Sequence, residues 1–195
     1  MAMRQTNIER ETRETFIHLW LNLDGNGEVK VRTGWGFADH MLTLLAFWSG
    51  WDVDLQCRGD MHVDAHHSLE DIGLCLGQAV AEACGDKTHL ARLGAARVPL
   101  DEALTDVVVD VSGRPYLVYQ DTLLPPVLGG QETDVWREFF KSFAFRAQLN
   151  LHIRYLYGQN GHHLLESACK GTGVALAQGL SLQTRGVRST KGALD

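Results

Sequence analysis

Two short blocks of the chain carry adjacent histidines followed three residues later by a glutamate. They read DAHHSLED at residues 64–71 and GHHLLESA at residues 161–168. Residues three and four apart share one face of a helix, so a histidine and the glutamate of each block can converge. Imidazole nitrogen together with carboxylate oxygen suits manganese, iron, zinc or nickel. The residues concerned are His66, His67, Glu70, His162, His163 and Glu166.

The repetition of the pattern favours a metal site over chance. A single His-His pair is about as often a surface or capping feature as a ligand pair, because short motifs recur by chance. Two copies at matching places predict a paired metal site, and no thiolate stands near either pair to indicate structural zinc. Two adjacent histidines cannot easily face one ion from a helix. Each therefore serves a different metal, or one serves a metal and the other the substrate.

Of the five other histidines, one is a candidate metal ligand and four are not. His40, which follows GFAD, is the candidate fifth histidine of the site. The spacing of the remaining four gives no convergence, and we expect polar-face or loop positions for them. They are His18, His62, His89 and His152.

Several basic and hydroxyl side chains outside the predicted helices could hold a phosphate. Arg92 lies in LARLG, Arg114 in SGRP, and Ser189, Thr190 and Lys191 in RSTKG. A lysine near the end of a chain is more often solvated surface, and taken alone that interpretation is favoured. The glycines of GTGVALAQG lie within a helical pattern, so they indicate packing positions and not a nucleotide-binding loop.

Composition and charge restrict the class of protein. The 195 residues are 45% hydrophobic and 22% charged, a globular profile, with a formal net charge of −6. This acidic balance argues against a nucleic-acid partner, while a small anionic substrate remains compatible with local basic residues. No apolar segment predicts a signal peptide or a membrane span, so we expect a cytoplasmic protein whose four cysteines are reduced and mostly buried.

Hydrophobic periodicity predicts the same order of elements twice. In the first half, residues 16–23 and 51–58 alternate as strands, and DGNG followed by EVKVRT indicates a hairpin. DHMLTLLAFWS and residues 68–84 have helical spacing. The second half repeats this with strands at 104–111, 116–119 and 147–156, a turn at SGRP, and helices in TDVWREFFKSFAF and HHLLESACKGTGVALAQGL.

Both halves therefore read strand, strand, helix, strand, helix, which indicates an internal duplication. We expect an α+β protein in which each half is a sheet with helices packed on one face. The half-repeats are predicted at residues 1–92 and 93–195, within a single compact unit. Superposing them sets His40 opposite Glu138.

Five segments of the chain resemble the imidazoleglycerol-phosphate dehydratase family of histidine biosynthesis. They are FADHMLTLLA, GDMHVDAHHSLEDIGLCLGQA, LDEAL…DVSGRPYL, GQNGHHLLESACKG and STKG, in the family's order over nearly the whole chain. The resemblance implies a ribosomal protein S5 domain 2-like fold and removal of water from imidazole glycerol phosphate to give imidazole acetol phosphate. It also implies two Mn²⁺ ions per active site and a homo-oligomer of 24 subunits with active sites at subunit interfaces.

The resemblance also assigns roles to residues of this chain. The implied metal ligands are His40, His66, His67, Glu70, Glu138, His162, His163 and Glu166. The implied catalytic residues are Glu14, His67 and His163, with proton transfer assigned to Glu14. The implied substrate-binding residues are Arg92, Arg114, Lys170, Ser189, Thr190 and Lys191, which now makes STKG a phosphate-binding segment.

The chain departs from the family pattern around the predicted substrate pocket. Glu138 replaces a histidine, Leu44 and Trp48 replace a glutamine and a histidine, and Thr43 replaces an aspartate. These changes keep three alternatives open: a divergent paralogue acting on a related phosphorylated substrate, a non-catalytic metal-binding shell protein, and a metal-dependent hydrolase. Retention of Glu14 and of the basic residues argues against the shell protein, which needs no phosphate site.

Overall fold

Ten strands and four helices make up the part of the chain that the structure describes. The computed structural model describes residues 3–184 and 186–192. The first half contains β1 (Gln5–Glu11), β2 (Thr15–Asn22), β3 (Val29–Arg32), α1 (Gly36–Ser49), β4 (Asp52–Gly59) and α2 (His66–Cys84). The second half contains β5 (Leu93–Leu100), β6 (Ala103–Asp110), β7 (Tyr116–Gln120), β8 (Val127–Leu128), β9 (Gln131–Glu132), α3 (Val135–Ala147), β10 (Asn150–Tyr157) and α4 (Gly161–Gly179).

The two four-stranded sheets share one topology. Their strand orders are β1-β2-β4-β3 and β5-β6-β10-β7, and β8 pairs with β9 in a separate small hairpin. In each large sheet three strands are antiparallel, while β3 runs parallel to β4 and β7 runs parallel to β10. The predicted fold class, an α+β protein with duplicated halves, is confirmed. The bounds 1–92 and 93–195 stay a prediction.

The hairpin predicted at DGNG is wrong, and the strands on either side of the predicted turn at SGRP do not pair with each other. β4 lies between β2 and β3, and β10 lies between β6 and β7. A parallel neighbour needs a crossover connection, and α1 and α3 provide it. The DGNG loop instead folds onto β4, where the Asp52 carboxylate accepts hydrogen bonds from the backbone N–H groups of Asn26 and Glu28 at 2.7 and 3.0 Å.

In the two large sheets the hairpins join β1 to β2 and β5 to β6, and the first strand of each hairpin was not predicted. β1 is an edge strand, QTNIERE, in which Ile8 alone is buried, so it shows no apolar alternation. The alternating faces predicted for the inner strands are confirmed. The buried residues on these faces are Ile17, Leu19, Leu21, Leu23, Trp51, Val53, Leu55, Cys57, Leu149, Leu151, Ile153 and Tyr155.

Helices of one half pack against helices of the other. α2 contacts α3, and α1 contacts α4, while each of the four helices also packs against the sheet of its own half. Glycines allow this close approach: a Cβ at Gly73 would lie 2.5 Å from the Phe139 carbonyl oxygen, and one at Gly173 would lie 2.5 Å from that of Leu45. The two halves are therefore interlocked through their helices. Over the described residues, no helix is both long and apolar enough to cross a bilayer.

We expect Gly173→Ala to lower the free energy of unfolding by about 1–3 kcal/mol, because the added methyl overpacks the α1–α4 contact. The loss should appear although alanine is the better helix former by about 1 kcal/mol. Equilibrium denaturation followed by circular dichroism at fixed protein concentration measures it. Gly36→Ala is the matched control, because nothing lies within 4 Å of a Cβ there. Equal effects of the two substitutions would contradict the packing role.

The four cysteines should be unreactive in the native protein. All four are buried and unpaired, as the sequence predicted. Burial raises the pKa of Cys57 to about 11 and that of Cys75 to about 12, so little thiolate exists at neutral pH. A chromogenic disulfide reagent should react only slowly with the folded chain and should titrate four thiols after denaturation. Rapid labelling of a native thiol would contradict the burial.

Candidate metal centre and active site

Each His-His pair lies in the first turn of a helix, two residues after a side chain that accepts a backbone hydrogen bond. The Asp64 carboxylate accepts a hydrogen bond from the backbone N–H of His66 at 2.8 Å. The Asn160 side chain accepts one from the backbone N–H of His162 at 2.9 Å. Such caps satisfy exposed N–H groups of a first turn. The short polar residue two positions before each pair therefore fixes the histidines in the first turns of α2 and α4.

His40 is positioned by a separate turn before α1. The Asp39 carboxylate accepts hydrogen bonds from the backbone N–H and the hydroxyl of Thr33, at 2.7 and 2.6 Å. This ties the loop after β3 to the first turn of α1. The next residue, His40, then points towards α4, where its ring lies 5.4 Å from that of His162.

Three predicted ligands converge at the contact between α1 and α4. One carboxylate oxygen of Glu166, Oε2, lies 3.0 Å from His40 Nε2 and 3.1 Å from His162 Nε2. The donor atoms of these three residues all lie within 4.8 Å of one another, as a shared cation would require. The other oxygen of Glu166, Oε1, lies 2.7 Å from Lys170 Nζ. Two imidazoles and a carboxylate fit a borderline divalent cation such as Mn²⁺, Fe²⁺ or Zn²⁺.

The carboxyl group of Glu166 is held ionised. Burial opposes its charge, but hydrogen bonds from Lys170, His40 and His162 outweigh it and lower the pKa of Glu166 to about 2. An ionised carboxylate is the form that binds a cation. Lys170, predicted as a substrate contact, therefore supports Glu166 directly.

The corresponding set in the first half is less closely assembled. His66 and Glu70 lie on α2 and Glu138 on α3, and these helices pack together as α4 and α1 do. Glu138 Oε2 lies 2.9 Å from Lys141 Nζ. Within residues 3–184 and 186–192, only His40, His162 and Glu166, here called the His40 group, have their donor atoms within the 4.8 Å limit. The assignment of Glu138 and its partners as ligands stays a prediction.

The second histidine of the first pair, His67, lies between two carboxylates. Its Nδ1 is 3.0 Å from Asp60 Oδ2, and its Nε2 is 3.8 Å from Glu14 Oε1. The hydrogen bond to Asp60 raises the pKa of His67 and lowers that of Asp60. The structure thus brings the predicted proton-transfer residue Glu14 beside a predicted metal ligand.

The second histidine of the other pair, His163, has the same kind of surroundings. Its Nδ1 is 2.8 Å from Glu102 Oε2, and its Nε2 is 3.9 Å from Asp101 Oδ2. Glu102 Oε1 also accepts the backbone N–H groups of Gln159 and Asn160, at 3.2 and 2.8 Å. These hydrogen bonds lower the pKa of Glu102 to about 2, with the largest contribution from His163, whose own pKa is raised.

Sequence reasoning missed the three carboxylates Asp60, Asp101 and Glu102. Asp60 carried a local signal, since it lies in the same GDMHVDAHH segment as its partner. Glu102 carried only an indirect one. It directly precedes β6 as Glu14 directly precedes β2, so the duplication makes the two glutamates equivalent.

A buried carboxylate holds the β1–β2 hairpin against α2. Asp71 accepts hydrogen bonds from the Thr15 hydroxyl at 2.5 Å and from Arg10 Nε at 2.9 Å. Asp71 is 6% exposed and directly follows Glu70. The hairpin turn that carries Glu14 is therefore fixed relative to the His-His block of α2.

The predicted phosphate contacts are only partly brought together. Arg92 pairs through two nitrogens with Asp110, at 2.6 and 3.1 Å, and its Nη1 donates to the carbonyl oxygen of Arg188 at 2.7 Å. This contact brings Arg92 beside the segment that continues into Ser189, Thr190 and Lys191. A cavity of about 370 Å³ is lined in part by Arg92, Asp110 and Arg188. Arg114 is exposed in the loop after β6.

The family departures on α1 lie on the side of the helix that carries His40. Leu44 is one turn and Trp48 two turns beyond it. Leu44 packs against the core, and Trp48 is 46% exposed while its Cβ borders Gly173 of α4. Trp48 therefore contributes an apolar contact where α1 crosses α4, and Leu44 contributes one to the core. Nothing in the structure explains Thr43.

Fold and site together define a duplicated α+β protein with a histidine–glutamate centre between helices of its two halves. The model of one family, imidazoleglycerol-phosphate dehydratase, matches residues 33–176. The chain is 62% identical over 196 residues to the imidazoleglycerol-phosphate dehydratase of Oleidesulfovibrio alaskensis and 58% identical over 195 residues to that of Maridesulfovibrio salexigens, with all of each chain covered.

Solved structures agree with the sequence relatives. The dehydratase of Pyrococcus furiosus superposes with a TM-score of 0.83 at 35% identity, covering 96% of this chain and 100% of that one. The dehydratase of Staphylococcus aureus superposes with a TM-score of 0.82 at 35% identity, covering 92% and 99%. The chain belongs to the imidazoleglycerol-phosphate dehydratase family. It is accordingly a dehydratase, a hydro-lyase of histidine biosynthesis.

If the His40 group binds a divalent cation, Mn²⁺ should stabilise the folded chain. At about 100 times its dissociation constant, a ligand of the native state alone adds about 2.7 kcal/mol to the free energy of unfolding. Glu166→Gln should lose most of this gain, because it removes the charge that faces both histidines. Thermal unfolding with and without Mn²⁺ measures it. Glu9→Gln, on an exposed position of β1, is the control. An undiminished Mn²⁺ effect in Glu166→Gln would exclude the centre.

Proposed function

We propose that the chain removes water from imidazole glycerol phosphate to give imidazole acetol phosphate, with two Mn²⁺ ions per active site. The observation that carries the proposal is the convergence of His40, His162 and Glu166 where the two halves meet. Relatives that match over the whole chain carry the name of this dehydratase. The first-half set, His66, Glu70 and Glu138, would hold the second ion.

The reaction requires loss of a hydroxyl and of a hydrogen from adjacent carbons. The hydroxyl on the carbon next to the imidazole ring leaves, and the hydrogen on the neighbouring carbon is removed as a proton. The resulting enol becomes the ketone of the product, so the net loss is one water. Bound divalent cations stabilise anionic ligand atoms and polarise leaving oxygens, which is the chemistry they would supply here.

Proton transfer is assigned to Glu14. The hydrogen removed is on carbon and is not acidic, so a positioned base is needed. Glu14 Oε1 lies 3.8 Å from His67 Nε2, and the hydrogen bond from the Thr15 hydroxyl to Asp71 holds the turn that carries Glu14 against α2. His67 and His163 would contribute to catalysis as metal ligands through Nε2.

The phosphate of the substrate would be held at the C-terminal segment. Arg92 is joined to the segment through the Arg188 carbonyl, and Ser189, Thr190 and Lys191 follow it directly. Arg114 and Lys170 would complete the substrate contacts. A cluster of cationic and hydroxyl donors suits a phosphate even on an acidic chain, because local charge decides binding at short range.

The active site would form between copies in a homo-oligomer of 24 subunits. His67 and His163 are not part of the His40 group, and each has its Nδ1 on a carboxylate. Their Nε2 atoms could therefore complete a metal centre of a neighbouring copy. We place this assembly in the cytoplasm, acting on a small phosphorylated imidazole and not on nucleic acid or membranes.

Purified chain loaded with Mn²⁺ should form imidazole acetol phosphate from imidazole glycerol phosphate. Glu14→Gln should lower kcat roughly 100-fold or more with a small change in KM, because general-base catalysis contributes about that much. Glu9→Gln should leave both constants unchanged. The product can be quantified by its ketone in a stopped-time assay.

Two outcomes would overturn the proposal. No turnover of this substrate, together with turnover of a related phosphorylated polyol, would favour the divergent paralogue that Leu44 and Trp48 suggest. No turnover of any such substrate, with Mn²⁺ still bound, would favour a metal-binding shell protein.

A further inference from the structure

The surroundings of His67 and His163 show a regularity that the ligand assignment does not use. In both residues Nδ1 lies within 3.0 Å of a carboxylate oxygen, from Asp60 in one case and Glu102 in the other. An ionised carboxylate accepts hydrogen bonds and donates none. A neutral imidazole beside it therefore carries its hydrogen on Nδ1 and keeps the Nε2 lone pair for another partner.

The two carboxylates reach this position from different places in the duplicated fold. Asp60 follows Gly59 at the end of β4, and the matching glycine at the end of β10 is Gly158, so the counterpart of Asp60 is Gln159, which has no carboxylate. In the second half the carboxylate comes instead from Glu102, on the β5–β6 turn. The same contact has thus been built twice from non-equivalent positions.

We propose that Glu102 is a positioning residue that fixes His163 in the tautomer with hydrogen on Nδ1, so that Nε2 can bind a divalent cation, as Asp60 does for His67. This inference rests on the proposed function for the metal, but its structural content concerns the tautomer alone. Carboxylates behind metal-binding histidines orient the ring and increase its basicity, and their loss costs about 10–100-fold in metal affinity.

The hydrogen bonds of Glu102 lead to a specific expectation for the substitution Glu102→Gln. Its Oε1 already accepts two backbone N–H groups, from Gln159 and Asn160. In Glu102→Gln the amide oxygen must take that place, because an amide nitrogen there would face two donors. The amide N–H₂ then faces His163 and donates to Nδ1, which forces the hydrogen onto Nε2 and blocks it as a ligand.

Glu102→Ala would have a different effect. It removes the carboxylate but leaves Nδ1 open to water, so both tautomers remain accessible. If Glu102 acts only as a tether between the β5–β6 turn and α4, alanine is the more damaging change, because glutamine keeps the oxygen that accepts both backbone groups. Which of the two substitutions weakens Mn²⁺ binding more therefore distinguishes a positioning role from a tethering role.

Asp60 offers a matched comparison. Its Oδ1 is buried and has no hydrogen-bond partner within the described part of the chain. In Asp60→Asn the amide can place its nitrogen there and keep its oxygen on His67 Nδ1. No tautomer is forced, so this substitution should be milder than Glu102→Gln, although both replace a carboxylate by its amide.

Mn²⁺ binding to the full chain, followed by the electron paramagnetic resonance signal of free Mn²⁺, tests the proposal. Glu102→Gln should weaken binding about 10–100-fold. Glu102→Ala and Asp60→Asn should weaken it less, and Glu9→Gln not at all. Affinity in Glu102→Gln equal to that of the wild type, or a greater loss in Glu102→Ala than in Glu102→Gln, would overturn the assignment.

A second measurement keeps the tautomer testable without metal. In ¹⁵N-histidine-labelled metal-free protein, magic-angle-spinning NMR distinguishes protonated from unprotonated ring nitrogens, and the His163 signal is identified by its loss in His163→Asn. Hydrogen on Nδ1 in the wild type and on Nε2 in Glu102→Gln supports the proposal, while the same tautomer in both overturns it. If the wild type binds no Mn²⁺, the proposed metal dependence fails, and the NMR result still decides the role of Glu102.

Discussion

The close approach of helices from opposite halves is the constraint on which the candidate site depends. Gly73 and Gly77 on α2 let α3 approach until backbone meets backbone, and Gly173 on α4 does the same for α1. A longer side chain at these points would push the helices apart. The distance between His40 and Glu166 is set by this contact, because the two residues lie on different helices of different halves. The geometry of the candidate metal site is thus a property of the packing of the two helices, and neither half contains it alone.

The two halves are similar, but the side-chain contacts that join a strand to a helix differ in chemistry between them. In the first half the strand carrying Thr15 is held to α2 by the buried carboxylate of Asp71. In the second half the contact between strand and helix is a neutral one, the 2.6 Å hydrogen bond between Thr105 and Ser167. A buried carboxylate is stable only with partners, and Arg10 provides the charge that the second half does not need. The charged contact, through Asp71, occurs in the first half, where the hairpin turn carries Glu14.

Sequence patterns predicted those parts of the fold whose signal is local. Strands such as β2, with Ile17, Leu19 and Leu21 inward, alternate because one face is covered by helices and the other is not. The helices were predicted from their apolar stripes for the same reason. The pairing of strands was not predicted, because DGNG reads as a hairpin turn over four residues, while the carboxylate of Asp52 that folds the loop onto β4 is far away in sequence. β1 was missed because an edge strand buries little.

The same distinction explains what was found and missed at the site. The His-His blocks are local, and their repetition made the family resemblance specific. Which histidine joins which carboxylate depends on tertiary contacts, and no spacing rule connects Glu102 with His163.

The duplication does carry some of this information, since it aligns Glu102 with Glu14. Used alone, however, it would assign Glu102 to the Nε2 side of the ring, where Glu14 lies. In the structure Glu102 lies at Nδ1, where Gln159, the counterpart of Asp60, provides no carboxylate, and Asp101 lies near Nε2. Equivalence within the duplication therefore points to Glu102 as a residue of the site but does not predict its contact with Nδ1.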